Sequence, residues 1–329
     1  MQGMKRGLMA LTAAAILAVT PVLAADQPSG AAFADVFVKI FGAHAGYRVN
    51  HAKGIVAEGT FTPTPDAAKL SRAAHFKGPA VPVTVRFSPA GGVPNMPDAD
   101  PNSFPKGMAI KFKTAAGDET DIVSFSVNGF PAGTPQDFLD FLTAVSQSPP
   151  GTAAPTPVDK FVSTHPTTKH FLEIPKPLPA SYATQAYFGV NAFKFTNGKG
   201  ESKYVRYFIR PAAGESHLDA AAAAKVAPNF LEDELAGRLK KGPAVFHLFV
   251  QVAAKGDPTN DGSKLWPDSR PMVELGTVSV AKLAADNETV QRQLLFTPTN
   301  LIDGIEESDD PIIDARGNAY AESFARRSQ

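Results

Sequence analysis

The sequence predicts an α+β fold, one antiparallel β-barrel with helical additions, on three observations. Two series of about four short strand-like runs are separated by helical and Pro-rich stretches. Gly 26 and Pro 29 in 329 residues supply many turns between them. Phe 23 against Tyr 6 and Trp 1 points to large apolar packing surfaces. A hydrophobic fraction of 43% excludes intrinsic disorder. The alternative is two α+β domains split near residue 155, but no shift in composition marks that boundary.

Taken in order, Phe33, Val36, Phe37, Ile40 and Phe41 recur at helical spacing, so residues 31–43 form an amphipathic helix. The first strand series is 55–61, 81–88, 108–113 and 121–127, each run bounded by Gly, Pro or Asp. Residues 135–145 form a helix with Phe138, Phe141, Leu142 and Val145 on one face. Residues 149–157 and 175–179 are Pro-rich and extended. The second series is 187–196, 204–211, 244–253 and 272–281, interrupted by poly-Ala at 220–224 and a helix over 230–241 between Asn229 and Gly242. Asp310-Pro311 opens a final helix.

The first residues read as an address. Lys5 and Arg6 precede an apolar stretch from Leu8 to Val22, and Val22-Leu23-Ala24 suits cleavage before Ala25. Thr12 and Thr20 interrupt that stretch, which disfavours an uncleaved anchor. Residues 1–24 are therefore a signal peptide, and 25–329 form a single exported, periplasmic domain with no later spanning segment. Lys+Arg 32 balance Asp+Glu 32, and loss of Lys5 and Arg6 leaves a slightly acidic chain. That argues against nucleic acid or an anionic membrane as partner. The absence of Cys removes disulfides, thiolate metal sites and Cys nucleophiles.

Four constellations carry possible chemistry. In Arg48-Val49-Asn50-His51-Ala52-Lys53-Gly54, His51 is a general base, a ligand or a packed core residue. Ser88, in Arg86-Phe87-Ser88, is placed on a strand and can orient a His or do nothing. Asn128-Gly129 follows a strand and is ordinarily a turn. On the final helix Ile312, Arg316, Tyr320, Phe324 and Arg327 share a face, which sets a guanidinium one turn before a phenol. A cation there favours the phenolate, and tyrosinate is a ligand for ferric haem iron. Gly317 would let a flat macrocycle approach closely. On this face alone an ordinary amphipathic helix is the simpler reading. There is no P-loop, dinucleotide-binding GxGxxG, HExxH or GxSxG pattern. His165 and His170, five apart in a Pro- and Thr-rich segment, make a poor metal pair, and His217 and His247 have no close partner.

Taken together and in order, these segments resemble the haem catalase family. The resemblance rests on residues 48–54 (RVNHAKG), 85–88 (VRFS), 106–121 (KGMAIKFKTAAGDETD), 264–267 (KLWP) with Glu274-Leu275-Gly276, 296–305 (FTPTNLIDGI) and Arg316-x-x-x-Tyr320. It is nearest to a small, exported, core-only branch of catalase-related peroxidases. It implies a closed barrel of about eight strands with a C-terminal haem-ligand helix. Haem b would be held by Tyr320 as the iron ligand. His51, Asn128 and Ser88 would be catalytic, and Arg48, Arg86, Arg316 and Arg327 would serve cofactor binding. His51 would move the peroxide proton, Asn128 would hydrogen-bond the peroxide, and Ser88 would fix the imidazole.

The resemblance further implies reduction of hydrogen peroxide, and of organic hydroperoxides, with small organic electron donors, by a monomer or small homo-oligomer. Asn50 stands where larger members carry an apolar residue, and Phe324 where many carry His. With the absent C-terminal helical portion and N-terminal arm, these departures weigh against efficient dismutation, tetramer assembly and NADPH binding. Two rival readings are a periplasmic haem-storage protein without turnover and a lipid hydroperoxide isomerase on the same fold.

Overall fold

The computed structural model describes residues 27–328; the signal-peptide expectation for 1–24 lies outside the described residues. The strands are β1 (Ile55–Pro63), β2 (Val81–Pro89), β3 (Lys106–Lys113), β4 (Glu119–Phe125), β5 (Tyr187–Thr196), β6 (Ser202–Pro211), β7 (Ala244–Val252), β8 (Met272–Leu283) and β9 (Ile305–Glu307). The helices are α1 (Gly30–Phe41), α2 (Ala67–Leu70), α3 (Pro135–Ser146), α4 (Pro157–Thr164), α5 (Pro166–Glu173), α6 (Ala220–Ala223), α7 (Phe230–Leu239), α8 (Asn287–Gln293) and α9 (Pro311–Arg327).

All strand pairings are antiparallel, in the order β4-β3-β2-β1-β8-β7-β6-β5, with β9 added to β5. Phe125 on β4 pairs with Phe188 on β5, and this contact closes the first eight strands into a barrel. It also joins the chain on either side of residue 155 into one sheet. Closure leaves little exposed edge for pairing with another chain.

Side-chain alternation decides what lies inside. On β2, Val81, Val83, Val85 and Phe87 enter the barrel core, while Arg86 and Ser88 face outward. The excess of phenylalanine is used here: Phe61 meets Phe112 edge-on at 5.1 Å, and Phe87 stacks on Tyr182 at 5.3 Å. Helix α1 packs outside, against α3 and α9. Gly30 makes the crossing possible, because a Cβ there would sit 2.3 Å from the Asn318 carbonyl oxygen.

Several boundaries differ from the sequence reading. From the end of the Pro-rich stretch 149–157, where no element was expected, the chain forms α4 and α5. Thr156 and Asp159 form a reciprocal capping box, and Pro157 sits in the first turn of α4. Pro there starts a helix rather than preventing one. His165 stacks on Phe161 at 3.7 Å between the two helices. His247, without a neighbour in sequence, meets Glu274 of the adjacent strand at 2.7 Å. Helix α8 and the three-residue β9 were not expected.

Candidate active site

A cavity of about 520 Å³ lies outside the barrel, between the outer face of β2–β4, the loop at 48–51, and helices α1, α3 and α9. Strand register builds its floor. Arg86 pairs with Ala109 and Ala109 with Val123; in the next outward row Ser88 pairs with Gly107 and Gly107 with Phe125. Small residues in the middle of each row keep this surface low. A Cβ on Gly107 would sit 3.1 Å from both His51 Cε1 and Ser88 Oγ, so the glycine makes room for the imidazole.

His51 sits at φ 54°, in the left-handed region that non-Gly residues seldom occupy. Arg86 holds it there. Its Nη2 donates to the carbonyls of His51 at 3.0 Å, Ala52 at 3.4 Å and Lys53 at 3.1 Å, and its Nε donates to Gln291. Gly54 is needed for this clamp, since a Cβ would lie 2.5 Å from Arg86 Nη2. The His51 Nδ1 is 3.0 Å from Ser88 Oγ, which leaves Nε2 for chemistry. Burial first, and the Arg86 cation second, pull the His51 pKa down to about 3; the Pro89 carbonyl opposes them, and Arg48 and Arg316 add to the lowering. The remaining exposure of the ring is toward the cavity it lines. His51 is therefore a neutral imidazole, a proton acceptor, at ordinary pH.

Helix α9 presents Ile312, Ala315, Arg316, Ala319, Tyr320, Ser323 and Arg327 to the cavity. Asp310 starts it by accepting from the Ile312 N–H. The Arg316 Nη2 and Nε lie 3.1 and 3.3 Å from the Tyr320 hydroxyl oxygen, both donating to it. Behind them, Arg316 Nη1 donates to Asn191 Oδ1, and Asn191 Nδ2 donates to Asp310 at 2.8 Å. The sequence shows Asp310 as a helix cap, but Asn191 carries no signal, being one polar residue within an apolar strand. Gly317 faces away from the cavity: its missing side chain makes room for Thr299, whose Cγ2 would be 2.8 Å from a Cβ. The small residues on the cavity face are Ala315 and Ala319 instead, two residues to either side.

Arg48, Arg86 and Arg327 line one part of the cavity, and none has a carboxylate partner among the described residues. Arg48 and Arg327 both donate to the Leu294 carbonyl. Arg86 is 4% and Arg327 8% exposed. Burial lowers both to about 10, and Arg48 falls well below its ordinary value through burial and the two neighbouring cations. Buried charges of one sign are costly without an opposite charge, so this cluster is suited to an anionic ligand.

Asn128 is not among the cavity-lining residues. Beyond β4, Ser126 is tied to Lys106 by a bond in each direction, Val127 is buried, and the rings of Phe125 and Phe130 reach the cavity 6.4 Å apart. The chain thus turns aromatic side chains inward and leaves the carboxamide out. Phe324 is likewise outside the lining; Arg327 lies over its ring at 4.6 Å. The other expected residues, His51, Ser88, Arg48, Arg86, Arg316, Arg327 and Tyr320, converge on this one cavity.

Three features of the cavity bear on a haem: apolar walls, a phenol, and buried guanidiniums without a carboxylate partner. The phenol suits an iron ligand, the guanidiniums suit carboxylates, and rings such as Phe125, Phe130 and Phe138 suit a flat apolar macrocycle. The residues fit the group.

Comparison with known proteins agrees with this geometry. A "Catalase-related peroxidase" of Mycolicibacterium paratuberculosis is 38% identical over 290 residues, covering 87% of this chain and 91% of that protein. A second protein of that name, from Synechococcus elongatus, is 32% identical over 293 residues, covering 88% and 86%. A fungal catalase structure superposes with a TM-score of 0.77 at 24% identity, covering 86% of this chain and 59% of its own, and so shares the fold. The family model described as Catalase matches residues 43–328, and the chain belongs to the catalase family.

Proposed function

We propose that the protein is a haem-dependent peroxidase that reduces hydrogen peroxide with small organic electron donors and has weak catalase activity. The carrying observation is that one cavity brings together the His51–Ser88 pair, the Tyr320–Arg316 pair and three unpaired guanidiniums. Similarity to relatives named for peroxidase activity supports the same reading. We also propose haem b as the cofactor, the periplasm as the location, reached through residues 1–24, and a monomer or small homo-oligomer as the assembled form.

Tyr320 would hold the iron, with its oxygen facing the Arg316 guanidinium. Arg48 and Arg327, and Arg86 with whatever donor capacity the His51 clamp leaves, would receive the haem carboxylates. Haem would supply the Lewis acid and the redox equivalents. The protein supplies proton movement. Neutral His51 takes the proton of one peroxide oxygen at Nε2 and returns it to the other, so that water leaves. Ser88 keeps the ring in the orientation this transfer needs. The apolar walls also admit organic hydroperoxides and aromatic donors.

Peroxide consumption by the haem-loaded protein, with and without His51→Ala, tests this reading. Wild type is expected to oxidise an aromatic donor faster than it releases oxygen, and the variant to lose about 10²–10⁴-fold in rate. Equal rates in the two proteins would defeat the role given to His51, and no turnover by wild type would favour a haem-storage role. Oxygen release that outpaces donor oxidation would make the protein a catalase.

A further inference from the structure

With Asn128 outside the cavity, the site still needs a hydrogen-bond donor beside His51, and one carboxamide is placed for it. Asn50 directly precedes His51 and lines the cavity. The Gly91 N–H donates to its Oδ1 at 2.9 Å. A backbone donor can face only the oxygen of a carboxamide, so this bond fixes which end is which. The amino end, Nδ2, has no partner among the described residues.

The support is rigid. The Ala52 N–H donates to the Gly91 carbonyl at 3.0 Å, so Gly91 is bonded to both sides of His51. Gly91 has φ 94°, and a Cβ on Gly92 would lie 2.3 Å from the Val49 carbonyl oxygen. Neither glycine tolerates a side chain in this packing. The other carboxamide on the lining, Asn102, is exposed and belongs to a short turn at 101–103, away from the His51 loop.

We propose that Asn50 is a catalytic residue that donates from Nδ2 to peroxide held beside His51, the part the sequence had suggested for Asn128. This rests on the peroxidase reading above. A fixed donor aimed where charge develops needs no reorganisation during reaction, and removal of such a donor typically lowers kcat by about 10²–10³.

Three variants in the haem-loaded protein test it. Asn50→Asp keeps an oxygen for the Gly91 N–H and removes the donor. Asn50→Val removes both. Asn128→Ala is the comparison. Two quantities are read: the dissociation constant for cyanide, followed by absorption, and kcat/KM for hydrogen peroxide. Both Asn50 variants are expected to bind cyanide about tenfold or more weakly and to lose about 10²-fold or more in kcat/KM, with Asn128→Ala within twofold of wild type. Wild-type values in Asn50→Asp would overturn the proposal, and if Asn50→Val alone is impaired, Asn50 only braces Gly91. A loss confined to Asn128→Ala would also overturn it. If wild type consumes no peroxide, the peroxidase reading fails, while cyanide affinity still decides whether Asn50 donates to a ligand in the cavity.

Discussion

His51 combines an unusual backbone conformation, held by Arg86, with a basicity lowered first by burial and second by the Arg86 cation. The same guanidinium that gathers the carbonyls of residues 51–53 repels a proton from the ring. Because the folded pKa is about 3 against an ordinary 6.5, His51 remains an acceptor throughout the mildly acid range. The rate of peroxide consumption should therefore show no inflection near pH 6.5. A profile measured between pH 4.5 and 8 that bends there would show His51 titrating normally. Stability has the matching sign. Between pH 6.5 and 3 the unfolded state holds the extra proton, so this residue's contribution is intact above 6.5 and declines as pH falls toward 3. Packing around the ring is equally restrictive. Gly107→Ala places a methyl 3.1 Å from the imidazole, and about a tenfold loss of peroxide turnover is expected, with haem binding retained. Unchanged turnover would mean that the ring has slack.

At the scale of elements, the site joins one strand row, one loop and one helix. Strand β2 sends Arg86 and Ser88 outward by two-residue alternation, and helix α9 sends Arg316 and Tyr320 inward by four-residue spacing. Both periodicities are visible in the sequence, but neither marks these residues as functional; only the ordered resemblance to the catalase family did so. Asn128 and Gly317 were misplaced because the direction of a side chain in a turn, or around the flank of a helix, depends on neighbours distant in sequence. Phe125, Phe130 and Thr299 decide those two cases. Asn191 was missed because its importance lies in bridging Arg316 to Asp310 across the barrel surface. Asn191→Ala should loosen Arg316 and weaken haem retention, measured as faster haem transfer to an acceptor protein. Arg86→Ala should lower stability to denaturant by about 2 kcal/mol, through loss of charge-assisted bonds to the 51–53 carbonyls. A midpoint unchanged from wild type would contradict the clamp.

For the whole molecule, the barrel was legible from short strand runs bounded by turn residues, whereas its closure was expected only from the resemblance to the catalase family. Closure depends on the single Phe125–Phe188 pairing across more than sixty intervening residues, and no local pattern encodes that. The closed barrel is a stiff wall on which an electrostatically unbalanced cavity can persist. Three buried cations with no carboxylate in contact among the described residues burden the haem-free protein and reward an anionic ligand. Haem should therefore raise the unfolding midpoint, by about 2.7 kcal/mol of stability when free haem is a hundredfold above its dissociation constant. Haem with esterified carboxylates should give a much smaller rise. Equal stabilisation by both forms, in thermal melts, would mean that the arginines do not read the carboxylates.

The central claim is that α9 delivers the iron ligand, and the absorption spectrum of the ferric, haem-loaded protein tests it most directly. Wild type should show a high-spin tyrosinate-type spectrum, and Tyr320→Phe should lose it or fail to retain haem. A spectrum that survives the substitution unchanged would place the ligand on another residue and contradict the account.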